Sequence, residues 1–172
     1  MGNIFAIRPG ENNDIPPIGI GSHLDTQPAG GRYDGILGVN SGIEVLKVLH
    51  ENNIKTYAPL AIVDWTNEEG ARFAPAMVSS GVWADEFTTE FGHSRADPFG
   101  KTMKEELSRI GMSITGFICC MKHNLLTFQG YLGPEKCSYK TNPLTAHFEV
   151  HIEQGIFTLL LSLKFFAKLF FF

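Results

Sequence analysis

An uninterrupted apolar run, APLAIVDW at residues 58–65, most limits how this chain can fold. A run of this length without polar alternation is typical of a strand that is buried on both faces of a sheet. Because helices usually cover both faces of such a sheet, the run predicts an α/β architecture. TNEEGARF follows directly, which puts the carboxylates of Glu68 and Glu69 at the carboxyl end of a central strand. Active sites of α/β sheets commonly lie at that end.

Three further segments predict strands around this run. NIFAIRPG and PPIGIGSHLD precede it, and both combine strand-forming residues with a proline or glycine boundary. TAHFEVHIEQG, which begins at residue 145, alternates polar and apolar residues cleanly. Its polar side chains therefore share one face of a strand, and its apolar side chains share the other.

Two capping boxes predict helices between the strands. Ser41 and Glu44 have the required spacing for a helix that runs to about Asn52, and Thr102 and Glu105 repeat the pattern for a second helix. The residues predicted to face the core are Ile43, Leu46 and Leu49 or His50 in the first helix, and Met103, Leu107 and Ile110 in the second. Strands that alternate with helices again indicate a layered α/β domain.

Composition narrows the classes of function. A formal net charge of −4 argues against non-specific binding to nucleic acid. Three cysteines, an odd and small number, argue against a disulfide scaffold and for a reducing, cytoplasmic compartment. The C-terminal stretch from residue 156 to 172 is rich in phenylalanine, but it is short and interrupted by two lysines, so no membrane span is expected.

The glycine-rich segment GSHLDTQPAGGRYDGILG, at residues 21–38, contains the first candidate site residues. His23, Asp25 and Asp34 combine one nitrogen donor with two carboxylates. By themselves they suit a hydrogen-bonded polar turn. Joined to Glu68, Glu69 and a histidine on the alternating strand, they form the donor set of a metal site.

A di-metal interpretation accounts for the whole set. One carboxylate can bridge two divalent ions, and an unligated carboxylate can act as general base for the attacking water. The proposed ligands are His23, Asp34, Glu69 and His151. Glu68 is the proposed base, and Asp25 is placed to accept the second ring N–H of His23 and so fix its tautomer.

These motifs closely resemble a known family. GSHLDT with GGRYDGILG, WTNEEGARF and AHFEVHIEQG are similar to the M20-type metal-dependent amidohydrolases. HIEQG points to the branch of N-carbamoyl-L-amino-acid hydrolase, which includes β-ureidopropionase (β-alanine synthase), beside allantoate amidohydrolase. The resemblance covers roughly residues 3–111 and 130–155.

The resemblance implies a catalytic domain with a central mixed β-sheet flanked by helices. It implies two divalent ions, zinc first with manganese, cobalt or nickel as alternatives, bridged by Asp34. His23 and His151 would complete one ion, and Glu69 with a more C-terminal histidine the other. Glu68 would activate the bridging water, and Gln154 resembles a position that contacts the small-molecule substrate. Full-length members of the family form homodimers.

The chain also departs from the family pattern. Nothing after Gly155 resembles it, so we expect a partial di-metal catalytic domain at 1–155 and a non-family apolar tail at 156–172. The lid and dimerisation domain, with the last metal-binding histidine, is expected to be missing. Residues 112–129 interrupt the pattern, either as an ordinary variable insertion or as a retained intron.

The function expected from the resemblance is hydrolysis of N-carbamoyl amino acids, such as N-carbamoyl-β-alanine, to the amino acid, CO2 and NH3. Allantoate amidohydrolase and an M20 peptidase are the alternatives within the enzyme class. Because the second metal site is expected to be incomplete, this fragment is predicted to be inactive. A non-catalytic truncated gene product is the alternative outside that class.

Overall fold

A computed structural model describes residues 1–110, 127–130, 138–152 and 165–171, with only the backbone course for 127–130 and 165–171. The elements in chain order are β1 (Ile4–Arg8), β2 (Ile18–Ser22), α1 (Ile36–Glu51), β3 (Leu60–Asp64), α2 (Val78–Trp83), α3 (Thr89–His93), α4 (Met103–Ile110), β4 (Thr127–Gly130), β5 (Ala146–Ile152) and β6 (Phe165–Phe171). The predicted alternation of strands and helices is confirmed.

The strands form one mixed sheet in the order β4–β1–β3–β2–β5–β6. β2 runs parallel to both β3 and β5, whereas β1 pairs antiparallel with β3 and β4, and β5 pairs antiparallel with β6. The segment β2–α1–β3 is therefore a parallel crossover unit. The predicted fold class, an α/β domain with a central mixed sheet, is confirmed.

Helices cover both faces of the sheet. On one face, α1 packs Val39 and Leu46 against Leu60 and Ile62. On the other, Phe5 and Val63 form a cluster with Ala61, Trp65, Trp83 and Leu144. Adjacent residues of β3 thus contribute to opposite clusters, as expected for the doubly buried strand that its apolar run predicts.

The predicted start of α1 is wrong. The helix begins at Ile36, with Gly35 as its N-cap, so Ser41 and Glu44 lie inside it and form no capping box. Gly38 and Gly42 obscured the pattern, because glycine is a poor helix former. Here both glycines allow the helix to approach β2 closely: a Cβ at Gly38 would lie 2.7 Å from the Cβ of Ser22.

This shift also changes the face of α1 that is buried. The buried residues are Gly38, Val39, Gly42 and Leu46. Of the side chains predicted to face the core, Leu46 is buried and Leu49 is half-buried, whereas Ile43 and His50 are exposed.

The capping box of α4 is confirmed. The Glu105 amide lies 3.2 Å from the Thr102 hydroxyl, and the Thr102 amide donates to the Glu105 carboxylate at 2.7 Å. Met103 and Leu107 are buried as predicted, but Ile110 is 51% exposed. The buried side of α4 therefore ends at Leu107, about one turn before the helix itself ends.

The less regular parts of the sequence lie partly outside the described residues. Within the predicted insertion, 127–129 belong to β4, and within the predicted tail, 165–171 form β6. The domain boundaries and the intron interpretation stay predictions. Among the described residues, no helix has both the length and the hydropathy that a bilayer crossing requires.

Candidate metal centre

The topology brings the candidate residues to one edge of the sheet. β2, β3 and β5 are parallel, so their carboxyl ends meet there. His23 follows β2, Glu68 lies beyond the end of β3, and His151 is the penultimate residue of β5. Asp34 lies just before α1 and completes the group.

Three of the predicted ligands converge. His23, Asp34 and His151 each offer a ligand atom, and these atoms all lie within 4.8 Å of one another. Asp34 Oδ2 is 3.3 Å from His23 Nε2 and 3.4 Å from His151 Nδ1. The two imidazole rings stack with their centroids 5.4 Å apart. We call these three residues the metal triad.

The hydrogen bonds around His23 indicate its tautomer. Its Nδ1 lies 2.8 Å from the backbone carbonyl oxygen of Asp25, which can only accept, so Nδ1 carries the proton. Nε2 then presents a lone pair toward Asp34 and Glu68. This buried atom has no hydrogen-bond partner among the described residues, an arrangement that suits a metal ligand.

Asp25 contacts the His23 ring through its backbone. The carbonyl oxygen, not the carboxylate, meets the His23 ring, and the nearer carboxylate oxygen is 3.7 Å away. The carboxylate instead accepts the backbone N–H groups of Glu68 at 3.0 Å and Glu69 at 3.1 Å. A carboxylate can satisfy two amides of a turn at once, so Asp25 holds the loop after β3 in place.

Gly35 places Asp34 beside His23. Its φ of 71° is a conformation that side chains other than glycine rarely adopt, and a Cβ there would lie 2.4 Å from the His23 carbonyl oxygen. Asp34 is also fixed from β5, because the Ile152 amide donates to its Oδ1 at 2.7 Å. The buried carboxylate is therefore oriented from both sides.

The two adjacent glutamates have different surroundings. Glu68 Oε2 lies 3.4 Å from His23 Nε2, at the triad. Burial raises the pKa of the Glu68 carboxyl, although His23 and His151 oppose part of that shift. Glu69 is not part of the triad among the described residues, and its carboxylate accepts from the side-chain amide of Gln27 at 2.6 Å. Gln154, the predicted substrate contact, lies outside the described residues.

Two acidic residues near the site were not assigned a role from the sequence. Glu149 Oε1 accepts from the Ser22 hydroxyl at 2.9 Å and lies 3.2 Å from His151 Nε2. Asp64, the last residue of β3, is half-buried, and that burial, reinforced by the Asp25 carboxylate, raises its pKa to about 6. The alternating pattern of β5 puts Glu149 on the same face as His151, and this pattern is the sequence feature from which a role for Glu149 could have been predicted.

The contacts between Glu149 and the neighbouring histidines shift the pKa values of Glu149 and His151. Burial alone would raise the pKa of Glu149, but the neighbouring His147 and His151 outweigh it and hold the pKa well below its ordinary value. The hydrogen bond to Glu149, with Asp34 adding to it, raises the pKa of His151 to about 9. His147 itself packs against Trp65, whose indole N–H donates to it at 3.1 Å.

Comparison with protein families shows where this chain belongs. The sequence model of peptidase family M20/M25/M40 matches residues 19–159, a range that includes the metal triad and the loop after β3. The chain belongs to this family. Its members are metal-dependent, and the triad is where this chain has the donors for an ion.

Individual M20 relatives are similar over most of this chain. An N-carbamoyl-L-amino-acid amidohydrolase of Rhizobium meliloti is 46% identical over 90% of it, and allantoate deiminase 1 of Glycine max is 31% identical over 90%. The crystal structure of an amidase of the hydantoinase/carbamoylase family from Burkholderia multivorans covers 92% of it at 47% identity, with a TM-score of 0.73. The chain spans about a third of the length of each.

Proposed function

We propose that this chain carries the metal-binding half of a hydrolase that acts on C–N bonds of linear amides. The substrates we propose are N-carbamoyl amino acids, with N-carbamoyl-β-alanine as the first to test. The single observation that supports this most is the convergence of His23, Asp34 and His151. The similarity to a named N-carbamoyl-L-amino-acid amidohydrolase supports the substrate class.

The donors fit a divalent cation. A bare imidazole nitrogen of His23 faces two carboxylate oxygens, at 3.3 Å on Asp34 and 3.4 Å on Glu68. Lone pairs this close repel one another unless a cation lies between them. Without an ion, a proton on His151 supplies part of that positive charge, consistent with its raised pKa. Imidazole and carboxylate together suit zinc, and also manganese, cobalt or nickel.

Each residue has a proposed role. His23, Asp34 and His151 would hold the ion, which supplies Lewis acidity to the substrate carbonyl and to water. Glu68 would accept the proton of the attacking water at its carboxylate and return it to the leaving nitrogen. Its raised pKa suits both transfers. Water attacks the carbamoyl carbon, and the C–N bond to the amino acid nitrogen breaks to release the amino acid and carbamic acid. The carbamic acid then breaks down to CO2 and NH3.

We propose that this 172-residue chain binds one ion tightly and hydrolyses little substrate. Among the described residues, the converging donors form one triad, and Glu69 is engaged with Gln27 rather than with it. A second ion would use Asp34 and Glu69 with ligands from the further length that the relatives have. We propose that a longer protein of this kind is a cytoplasmic homodimer.

A paired assay tests the proposal. Zinc binding is measured by calorimetry, and ammonia release is measured with N-carbamoyl-β-alanine and with allantoate, the substrate class suggested by the soybean relatives. We expect one zinc per chain, and any release to favour the carbamoyl compound. Glu68→Gln should keep the zinc and abolish that release; unchanged release in this variant would rule out Glu68 as the base. Absence of zinc binding would instead support a non-catalytic gene product.

A further inference from the structure

Glu149 is a buried carboxylate that the proposed reaction does not use. It lies on β5, where its residue pairs with Gly21 of β2, and it is 8% exposed. The fully buried Ser22 donates its hydroxyl to Glu149 Oε1 at 2.9 Å. This hydroxyl fixes one oxygen of the carboxylate and shows that the oxygen acts as an acceptor.

The same oxygen faces His151. Glu149 Oε1 lies 3.2 Å from His151 Nε2, while Nδ1 on the other side of the ring lies 3.4 Å from Asp34 Oδ2. An accepting oxygen requires the nitrogen it faces to carry the proton. Nδ1 is then the ring atom left to present a lone pair toward Asp34 and toward an ion that the metal triad would hold.

We propose that Glu149, held by Ser22, is a positioning residue that fixes the ring orientation and tautomer of His151. This inference rests on the proposed metal site. Carboxylates that orient metal-binding histidines in this way strengthen metal binding. Direct ligation by Glu149 is a different role, and among the described residues Glu149 is not in the group whose ligand atoms lie within 4.8 Å.

Zinc affinity of the 172-residue chain tests the positioning role. Glu149→Ala should raise the Kd for zinc by about 10- to 100-fold. Glu149→Gln should weaken it less, because its amide oxygen still accepts from Nε2–H. Ser22→Ala should also weaken it, since the carboxylate loses its hydroxyl partner. Ser79→Ala is the matched control: this serine is equally buried and donates at 2.9 Å to the Met1 carbonyl oxygen, so its Kd should equal that of the wild type.

A spectroscopic readout separates positioning from general stability. In the zinc-loaded wild type, ¹⁵N NMR should show His151 protonated at Nε2 and bound to zinc through Nδ1. Glu149→Ala should lose that signature, whereas Ser79→Ala should keep it even if both variants unfold more easily. A Glu149→Ala protein with the wild-type Kd and signature would overturn the proposal. A Glu149→Gln protein as weak as Glu149→Ala would overturn it in favour of direct ligation.

His151→Ala distinguishes this failure from failure of the metal site. If His151→Ala binds zinc as tightly as the wild type, or if the wild type binds none, the proposed function is wrong and the positioning role falls with it. If His151→Ala loses zinc and Glu149→Ala does not, the metal site stands and only the role of Glu149 is rejected.

Discussion

Two charged clusters in this chain differ in how the charge of their carboxylates is balanced. In the arginine cluster, Arg72 pairs with Asp97 at 2.9 Å and with Glu106 at 3.0 Å, and Arg109 pairs with Glu106 at 2.9 Å. In the metal triad, the buried Asp34 carboxylate meets imidazole nitrogens at 3.3 and 3.4 Å. The arginine cluster therefore contains its own counter-charges, whereas the triad is arranged around a place for a cation.

Burial explains why the difference matters. Arg72 is 49% exposed, and exposed ion pairs contribute little to stability. The triad contains a fully buried imidazole and a nearly buried carboxylate, where uncompensated charge is costly. A bound ion should therefore stabilise the chain through the triad and leave the arginine cluster unaffected.

The largest expected effect comes from removing the central carboxylate. At a zinc concentration of 100 times the Kd, the wild type should gain about 2.7 kcal/mol of stability. Asp34→Asn should lose this gain, because the amide cannot supply the negative charge. Thermal unfolding with and without zinc measures it. Arg72→Met is the control and should keep the full gain; a zinc-dependent shift that survives in Asp34→Asn would contradict the assignment of the triad.

A backbone substitution should disturb the triad without touching a ligand. Gly35→Ala should lower the free energy of unfolding by about 2 kcal/mol, since φ is positive and the methyl group would meet the His23 backbone. It should also weaken zinc binding. Gly100 has a φ of 80° with nothing within 4 Å of its Cβ position, so Gly100→Ala should be strained without affecting zinc. Equal zinc affinity in both variants would show that Gly35 does not place Asp34.

The ionised carboxylate of Asp64, near the triad, should lower the free energy of unfolding. Its pKa is raised to about 6 from an ordinary 3.8, so its charge destabilises the fold fully above pH 6 and not below pH 3.8. Asp64→Asn should therefore raise stability at pH 7, without zinc, by about 1 kcal/mol, less than the full pKa shift corresponds to because Asp64 is only half-buried. Denaturant unfolding at pH 4 and pH 7 measures this difference. A variant that is stabilised equally at both pH values would contradict the stated cause.

The smallest effect is the opposite pH slope of the arginine cluster. Hydrogen bonds from Arg109 and Arg72 lower the pKa of Glu106 to about 2 from an ordinary 4.5. Its contribution is present above pH 4.5 and is lost as the pH falls toward 2. Arg72→Met should flatten the fall in stability over that range. If the wild type and Arg72→Met lose stability in parallel below pH 4.5, the pairing with Arg72 contributes nothing.

Much of the fold followed from local patterns. The apolar run before Glu68 predicted the central strand, and alternation predicted β5 with His147, Glu149 and His151 on one face. The Thr102–Glu105 pair predicted the start of α4. Each of these features depends on neighbours within a few residues, which is the range over which sequence patterns are informative.

The errors arose where tertiary contacts override local preference. Two glycines that pack α1 against β2 concealed the first six residues of that helix, 36–41. The Asp25 carboxylate accepts from the loop after β3, more than 40 positions away, so local spacing could not predict this contact. Glu149 was visible as a polar residue on the right face, but its contact with Ser22, 127 residues away, was not.

The most direct test of the central claim is anomalous diffraction from crystals of the chain grown with zinc. We predict a strong zinc peak bound by His23 Nε2, a carboxylate oxygen of Asp34 and His151 Nδ1, with Glu149 still in contact with Nε2 of His151. A crystal with no zinc peak among these three residues, at a zinc concentration that saturates binding in solution, would contradict the claim.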